Sequence, residues 1–286
     1  MDLIKIITAL CIIEDTMKQL GHRSHKLAGV TDAEVLLVAV VSSMYFQNHH
    51  ERTLFVMNGM RYITKPLSIS RFSRRLHSLA REGWLEYIVE LIGELHAQGE
   101  AFIVDSMPLP VCKMVRARRC RKVLNTRRST LTHRGTHHYI GRCAAKRWSF
   151  YGWRLHLICT PTGVPVSFQM LPASWHDLTP IYELTFALPK GARLYADKGY
   201  VSAAVKRALR PTLKRDGVHL VAKHKANMQP NTFQDWCDLK WYRHHIESAN
   251  SQLVSMGLQH LHARTDAGFA IKVLSSLLAL ACINMI

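Results

Sequence analysis

Two short apolar runs, AFIVD at 101–105 and RLYAD at 193–197, each end on an aspartate. Four apolar residues bounded by turn signals read as a buried strand, since a helix needs a longer periodic stretch. A third run of the same kind, HLVAK at 219–223, follows the helical stretch SAAVKRALRP at 202–211. Strands that alternate with helices fold into a sheet covered by those helices. Between the two acid-tipped runs, WSFYGWRLHLICTPTGVPVSFQMLP at 148–172 reads as a hairpin. Its strands are expected over 151–159 and 164–170, with the turn at Pro161-Thr162-Gly163. DLTPIYELTFALP at 177–189 reads as a helix with Asp177 as its N-cap.

The order is therefore strand, hairpin pair, helix, strand, helix, strand, helix. That is the order of the RNase H fold, an α/β class with a mixed five-stranded sheet and flanking helices. In it the first and fourth strands lie side by side, so the tips of AFIVD and RLYAD face one another. Pro108 and Pro110 are expected to halt the first strand just after Asp105. From Phe233 to about Met256 the pattern is helical and stops at Gly257, and a last helix runs from about Asp266 to the end.

The first hundred residues read as helices only. TDAEVLLVAVVSSMYF at 31–46 opens with Thr31 and Glu34 in capping-box spacing. SISRFSRRLHSLAREGWLEYIVELIGELH at 68–96 has helical apolar spacing, broken at Gly83. The face bearing Arg71, Arg74, Arg75 and His77 is basic. It reads either as a helix-turn-helix-like DNA contact or as the solvated side of a bundle, and both readings stay open. With AQGE at 97–100 as the boundary, the division by role is an all-helical domain over 1–98 and a catalytic domain over 99–286.

Charge narrows the partner. The 286-residue chain has 38 Lys plus Arg against 20 Asp plus Glu, a formal +18. Such an excess repels itself and favours a polyanionic partner. From Ser106 to His176 there is no acid, while Lys113, Arg116, Arg118, Arg119, Arg121, Lys122, Arg127, Arg128, Arg134, Arg142, Lys146, Arg147 and Arg154 are present. That tract reads as a phosphate-tracking surface. No basic amphipathic helix points to a membrane, and Lys272 interrupts the apolar C-terminal stretch, which reads as a buried helix. The N-terminus lacks the pattern of a signal peptide. Seven cysteines without a CxxC pair fit a reduced, intracellular setting, and Cys112, Cys120, His133, His137 and Cys143 match no standard zinc spacing.

Beyond Asp197 the chain has one glutamate, Glu247, with Arg243 one turn before it and Ser251 one turn after, all three on one helical face. Three acids, Asp105, Asp197 and Glu247, converging in a basic groove fit divalent cations held for phosphodiester chemistry. Carboxylates favour Mg²⁺, with Mn²⁺ as a substitute. Each acid also has a plain structural reading: Asp105 as a turn residue, Asp197 as a helix cap, Glu247 as the partner of Arg243. Asp177 reads as a cap, and Asp216, Asp235 and Asp238 rank below the three.

The segments VDSMPLPVC, FYGWRLHLICTPTGVPVSF, SWHDLTP, LYADKGY and YRHHIESANSQL, in this order, resemble the DDE transposases of bacterial insertion sequences. The resemblance runs from about residue 30 to the end. It implies that Asp105, Asp197 and Glu247 are the acidic triad and metal ligands. It further implies that Lys198, Arg243 and the basic tract contact DNA, and that Arg71, Arg74 and Arg75 read terminal inverted repeats. Metal-dependent cleavage at the element's ends and strand transfer into target DNA follow, with a homodimer in the active DNA complex. The setting implied is the bacterial cytoplasm, at the nucleoid. Lys240 and Val254 stand where a related pattern has a tyrosine and a lysine, seven residues either side of the glutamate. Two other readings fit the same residues: an RNase H-like structure-specific nuclease, and a DNA-binding relic without activity.

Overall fold

The structure is a computed structural model that describes residues 1–120, 136–143, 148–175, 181–200, 211, 213–224, 228 and 230–285. By packing, the chain divides into two units, Met1–Leu91 with Gln252–Ile286, and Ile92–Ser251. The division by role read from the sequence kept 252–286 with the catalytic domain; by packing, those residues join the front helices.

In the first unit, helices α1 (Leu3–Gln19), α2 (Asp32–Phe46), α3 (His50–Gly59), α4 (Ile69–Arg81) and the first half of α5 (Trp84–His96) precede the sheet. Thr31 accepts from the Glu34 amide at 3.1 Å and its own amide donates to the Glu34 carboxylate at 2.6 Å, so the capping box starts α2 as read. Val35 through Val41 carry no accessible surface, because a helix apolar all round survives only when enclosed. Its main partner is the C-terminal helix (Asp266–Asn284, called α7 below), whose residues Leu277–Cys282 are equally enclosed. That helix is long and apolar enough to cross a membrane by length and composition; two-thirds of it is buried among the other helices. Buried Asn48, in the left-handed region at φ 64°, ties the α2–α3 corner to this core. Its amide donates to the Met256 carbonyl at 3.0 Å and to Ser276 at 2.9 Å, while Ser43 donates to its oxygen at 3.1 Å.

The second unit is built on a six-stranded mixed sheet of β1 (Ala101–Cys112), β2 (Ile140–Cys143), β3 (Trp148–Cys159), β4 (Pro165–Pro172), β5 (Arg193–Ala196) and β6 (His219–Ala222). β3 and β4 are the expected hairpin. β1 pairs antiparallel with β3 and parallel with β5, and β5 pairs parallel with β6. The order β4-β3-β1-β5-β6 is RNase H-like. The sixth strand, β2, lengthens the edge beside β4 by pairing with the start of β3. It is a correction to the five-stranded expectation: four residues inside the basic tract, with Gly141 against Phe150, give no alternating signal.

A second correction concerns β1, which continues through Pro108 and Pro110 to Cys112. β5 ends at Ala196, opposite Val104, so past Asp105 that side of β1 carries no ladder to β5 for a proline to break. Its other side stays paired to β3, with a register shift between Pro110 and Cys112. There the backbones approach so closely that a Cβ on Gly152 would lie 2.2 Å from the Leu109 carbonyl oxygen. The stretch 181–187 forms a helical turn, Ile181–Leu184, and a 3-10 turn, Thr185–Ala187. Asp177 and the expected helix at 202–211, but for Pro211, lie outside the described residues.

The long helix α6 (Phe233–Ser255) begins in the second unit, and Gly257 at φ 85° ends it as expected. α7 (Asp266–Asn284) follows, with Thr265 accepting from the Gly268 amide as its cap.

Candidate active site

The sheet register fixes the site. Val104, Ala196 and Ala222 form one row across β1, β5 and β6. The next residue of each strand is Asp105, Asp197 and Lys223, so three polar side chains stand in line where the parallel strands end. In α/β sheets that end is the place where ligands bind. Val104 and Ala196 below them are buried among Phe102, Leu194 and Ile158, which anchors the tips. After Asp197 the chain turns at once, with the Tyr200 amide donating to the Asp197 carbonyl at 3.0 Å in a 3-10 turn.

Helix α6 crosses these tips and is docked by its first turns. Arg193 on β5 pairs with Asp235 at 2.8 Å and with Asp238 at 3.2 Å. Tyr195, one pleat further along β5, donates its hydroxyl to Asp238 at 3.0 Å and stacks its ring on Tyr242 at 4.3 Å. Burial and the Asp238 hydrogen bond push the Tyr195 hydroxyl pKa well above its usual value, so it remains a donor. Asp235 and Asp238 thus set the helix on the sheet. Successive turns of the same face then carry Arg243, Glu247 and Asn250 to the strand tips.

The carboxylates are held by specific donors. Asp105 accepts from the Ser106 amide and from the Asn250 side-chain amide, both at 2.8 Å. Arg243 reaches Glu247 at 2.9 Å and Asp197 at 3.4 Å. The hydrogen bond to Glu247, and then the Asp197 charge, raise the Arg243 pKa. Asp105, Asp197, Glu247, Arg243 and Lys223 line one cleft. Arg243 and Glu247 are about half exposed, at 48% and 56%, so their pair contributes at most about 1 kcal/mol and can open.

No group of three or more His, Cys, Asp or Glu among the described residues is gathered tightly enough to hold an ion. The guanidinium of Arg243 stands between two of the acids. The donor set itself fits a hard divalent cation: three carboxylates, with no cysteine or histidine in the cleft lining.

Of the other residues singled out by sequence, Lys113, Arg116, Arg118 and Arg119 are exposed on and beside the 3-10 helix Met114–Arg119, which directly follows β1. Arg142 is exposed on β2. Arg154 is half-buried and ties β3 to β1, donating to Ser106 at 3.2 Å. Arg121, Lys122, Arg127, Arg128, Arg134, Lys146, Arg147 and the side chain of Lys198 lie outside the described residues. In the first unit Arg71 and Arg74 are exposed, and with Lys65 they line a surface cavity. Arg75 is anchored, donating to the Val30 carbonyl at 2.7 Å and pairing with Asp32. Burial opposes ionisation of Asp32, but its hydrogen bonds to Arg75 and His22 outweigh burial and lower its pKa.

Asn250 and Lys223 are the site residues that sequence reasoning missed. Asn250 lies three positions past Glu247 and seven past Arg243, which is the same helical face. Lys223 closes HLVAK as the aspartates close the other two runs. Both signals were present.

Comparison with known families matches residues 96–266 to the transposase DDE domain. The match covers more than half of the chain and runs from the start of the sheet into α7: this protein belongs to the DDE transposase family. Its members act on DNA and in general use divalent metal. No curated protein and no solved structure gave a match.

Proposed function

We propose that the chain is the transposase of a bacterial insertion sequence, and that it cuts DNA at the element's ends and transfers the freed strand into target DNA. The observation that carries this reading is the alignment of Asp105 and Asp197 at neighbouring strand tips, with Glu247 on the helix that crosses them. Asp105, Asp197 and Glu247 would hold Mg²⁺, or Mn²⁺ in its place. When bound, the cations supply charge stabilisation at the scissile phosphate and lower the pKa of attacking water.

The chain's own residues do the rest. Asn250 fixes the rotamer of Asp105. Asp235 and Asp238 hold α6 in register, and through it Glu247. Arg243 neutralises Asp197 and Glu247 in the free protein; once it swings off them, its five donors suit a phosphate oxygen pair. In the hydrolytic step a water oxygen attacks phosphorus and the bond to the 3′-oxygen breaks, leaving a 3′-hydroxyl. In the transfer step that hydroxyl attacks a target phosphodiester in line, and a target 3′-hydroxyl leaves.

Lys113, Arg116, Arg118 and Arg119, joined by Arg121, Lys122, Arg127, Arg128, Lys146, Arg147 and Lys198, hold the DNA backbone near these acids. The front helices, through exposed Arg71 and Arg74 and with Arg75 held by its ion pair to Asp32, read the terminal inverted repeats. Joining two ends requires two protomers, so the active complex is a homodimer on double-stranded DNA, at the nucleoid in the bacterial cytoplasm.

The test is incubation of the full chain with DNA carrying the ends of its own element, with and without Mg²⁺. Metal-dependent nicks at the element boundary together with joined products are expected. Cuts at unrelated junctions without joining would identify a structure-specific nuclease, and tight binding without cutting a DNA-binding relic.

A further inference from the structure

Helix α6 presents three large aromatic side chains to solvent within nine residues: Phe233 at 81% exposure, Trp236 at 53% and Trp241 at 66%. Tryptophan is normally well buried, and a run of exposed rings marks a binding surface. The rings are ordered against one another and against cations. Phe233 and Trp236 stack with centroids 6.4 Å apart, Lys240 places its Nζ 5.3 Å from the Trp236 ring, and Trp241 meets His245 at 5.6 Å. Trp236 and Trp241 line a groove of about 930 Å³, far larger than an ion or a water needs.

The groove runs into the acidic cleft. Lys223, Arg243 and Glu247 are walls of both. From Glu247 back to Trp236 is eleven residues of helix, ~16 Å at ~1.5 Å per residue, or about five steps of a stacked nucleic-acid strand. Trp236, Lys240, Arg243 and Glu247 fall on successive turns of one face, so one ring and two cations lead towards the acids; Trp241, about 140° further round the helix, lines the same groove. Exposed rings beside cations complement one chemistry, a strand whose bases are free and whose phosphates are charged. A paired duplex keeps its base faces covered and offers such rings nothing to stack on.

We propose that this groove binds the unpaired bases of a DNA strand whose phosphodiester lies at the Asp105–Asp197–Glu247 cleft, stacking them on Trp236 and Trp241. The inference rests on DNA being brought to that cleft, as in the function proposed above. It adds that the DNA opens beside the cut and that α6 stabilises the opened strand. Lys240 contributes to the same strand as a cation held over a ring.

The experiment measures fluorescence anisotropy of three labelled probes with the full chain: a 12-nucleotide oligothymidylate, an abasic strand of the same length and charge, and a 12-base-pair duplex. Wild type is compared with W236A/W241A and with W236F/W241F. Stacking removed by alanine is worth about 1–3 kcal/mol per base, so with two rings lost oligothymidylate affinity should fall at least roughly 30-fold in the alanine pair. The phenylalanine pair should keep most of it, the duplex affinity should not change, and the abasic strand should bind weakly to every variant. Unchanged oligothymidylate affinity in the alanine pair would overturn the proposal, as would equal loss for all three probes. A variant whose one change is lost self-association in sedimentation would make the surface an interface between copies, and also overturn it. Normal metal-dependent cutting with tryptophan-independent strand binding sinks the groove and leaves the functional reading intact. Tryptophan-dependent strand binding without any cutting does the reverse.

Discussion

Arg243 carries the tension of the site at the level of single residues. It pairs with Asp197 at 3.4 Å and with Glu247 at 2.9 Å. A cation held by these acids, as proposed above, would have Arg243 as a competitor for their charge. Removing that competitor should strengthen metal binding even as it weakens grip on DNA. In the DNA-free protein, Arg243→Gln is expected to bind Mn²⁺ roughly three- to tenfold more tightly, since two exposed pairs contribute up to about 1 kcal/mol each. Isothermal titration checks this, and equal affinity in both proteins would mean that the arginine does not compete. Asn250 acts at the same scale, because its side-chain amide, together with the Ser106 amide, holds the Asp105 carboxylate.

Secondary-structure elements were largely legible in the chain, and the exceptions have specific causes. The runs ending at Asp105 and Asp197 announced their strands because buried strands leave short, unbroken apolar words. The Thr31–Glu34 spacing announced α2, and Gly257 the end of α6. β2 gave no such word. Its prolines predict an early end for β1 because a proline normally ends a ladder, whereas β5 stops first and leaves them a free edge. The convergence of Asp105, Asp197 and Glu247 on one cleft is legible through strand order and helical period, yet the duties of Asp235 and Asp238 are not. Their partners, Arg193 and Tyr195, lie some forty residues earlier on β5, and no local pattern links them. If these two acids hold α6 in place, Asp238→Ala should lower stability by about 1–2 kcal/mol, given the lost hydrogen bonds to Tyr195 and the partly exposed Arg193. It should also depress the cleavage rate while leaving DNA affinity near wild type. Urea melts and single-turnover cleavage read the two effects, and full activity in a destabilised variant would separate helix docking from function.

At the scale of the whole molecule, packing and proposed role divide the chain differently. The C-terminal helix, continuous in sequence with the sheet-bearing half, completes the core around α2. Packed on Phe72 is His50, whose Nε2 is sealed from solvent without a hydrogen-bond partner among the described residues. Burial, and then the charges of Lys272 and neighbouring histidines, push its pKa from 6.5 down to about 3. Between those values the unfolded chain binds a proton there and the folded chain does not. Stability therefore falls as pH drops below about 6.5, by up to about 1.4 kcal/mol per unit from this group. Asp32 and Glu34, both held below the ordinary carboxylate range, lose their contributions only at lower pH. Urea midpoints between pH 7.5 and 4.5 should decline in the wild type and decline less in His50→Leu; parallel curves would rule His50 out.

Asp105, Asp197 and Glu247 are expected to act together on a DNA strand. The most direct measurement pairs end-cleavage in Mg²⁺ with DNA affinity in Ca²⁺, for wild type and for Asp105→Ala, Asp197→Ala and Glu247→Ala. Each variant is expected to lose cleavage by at least about a thousandfold while binding the same DNA within a few-fold of wild type. Wild-type cutting by any one of the three would remove that acid from the site and contradict the account.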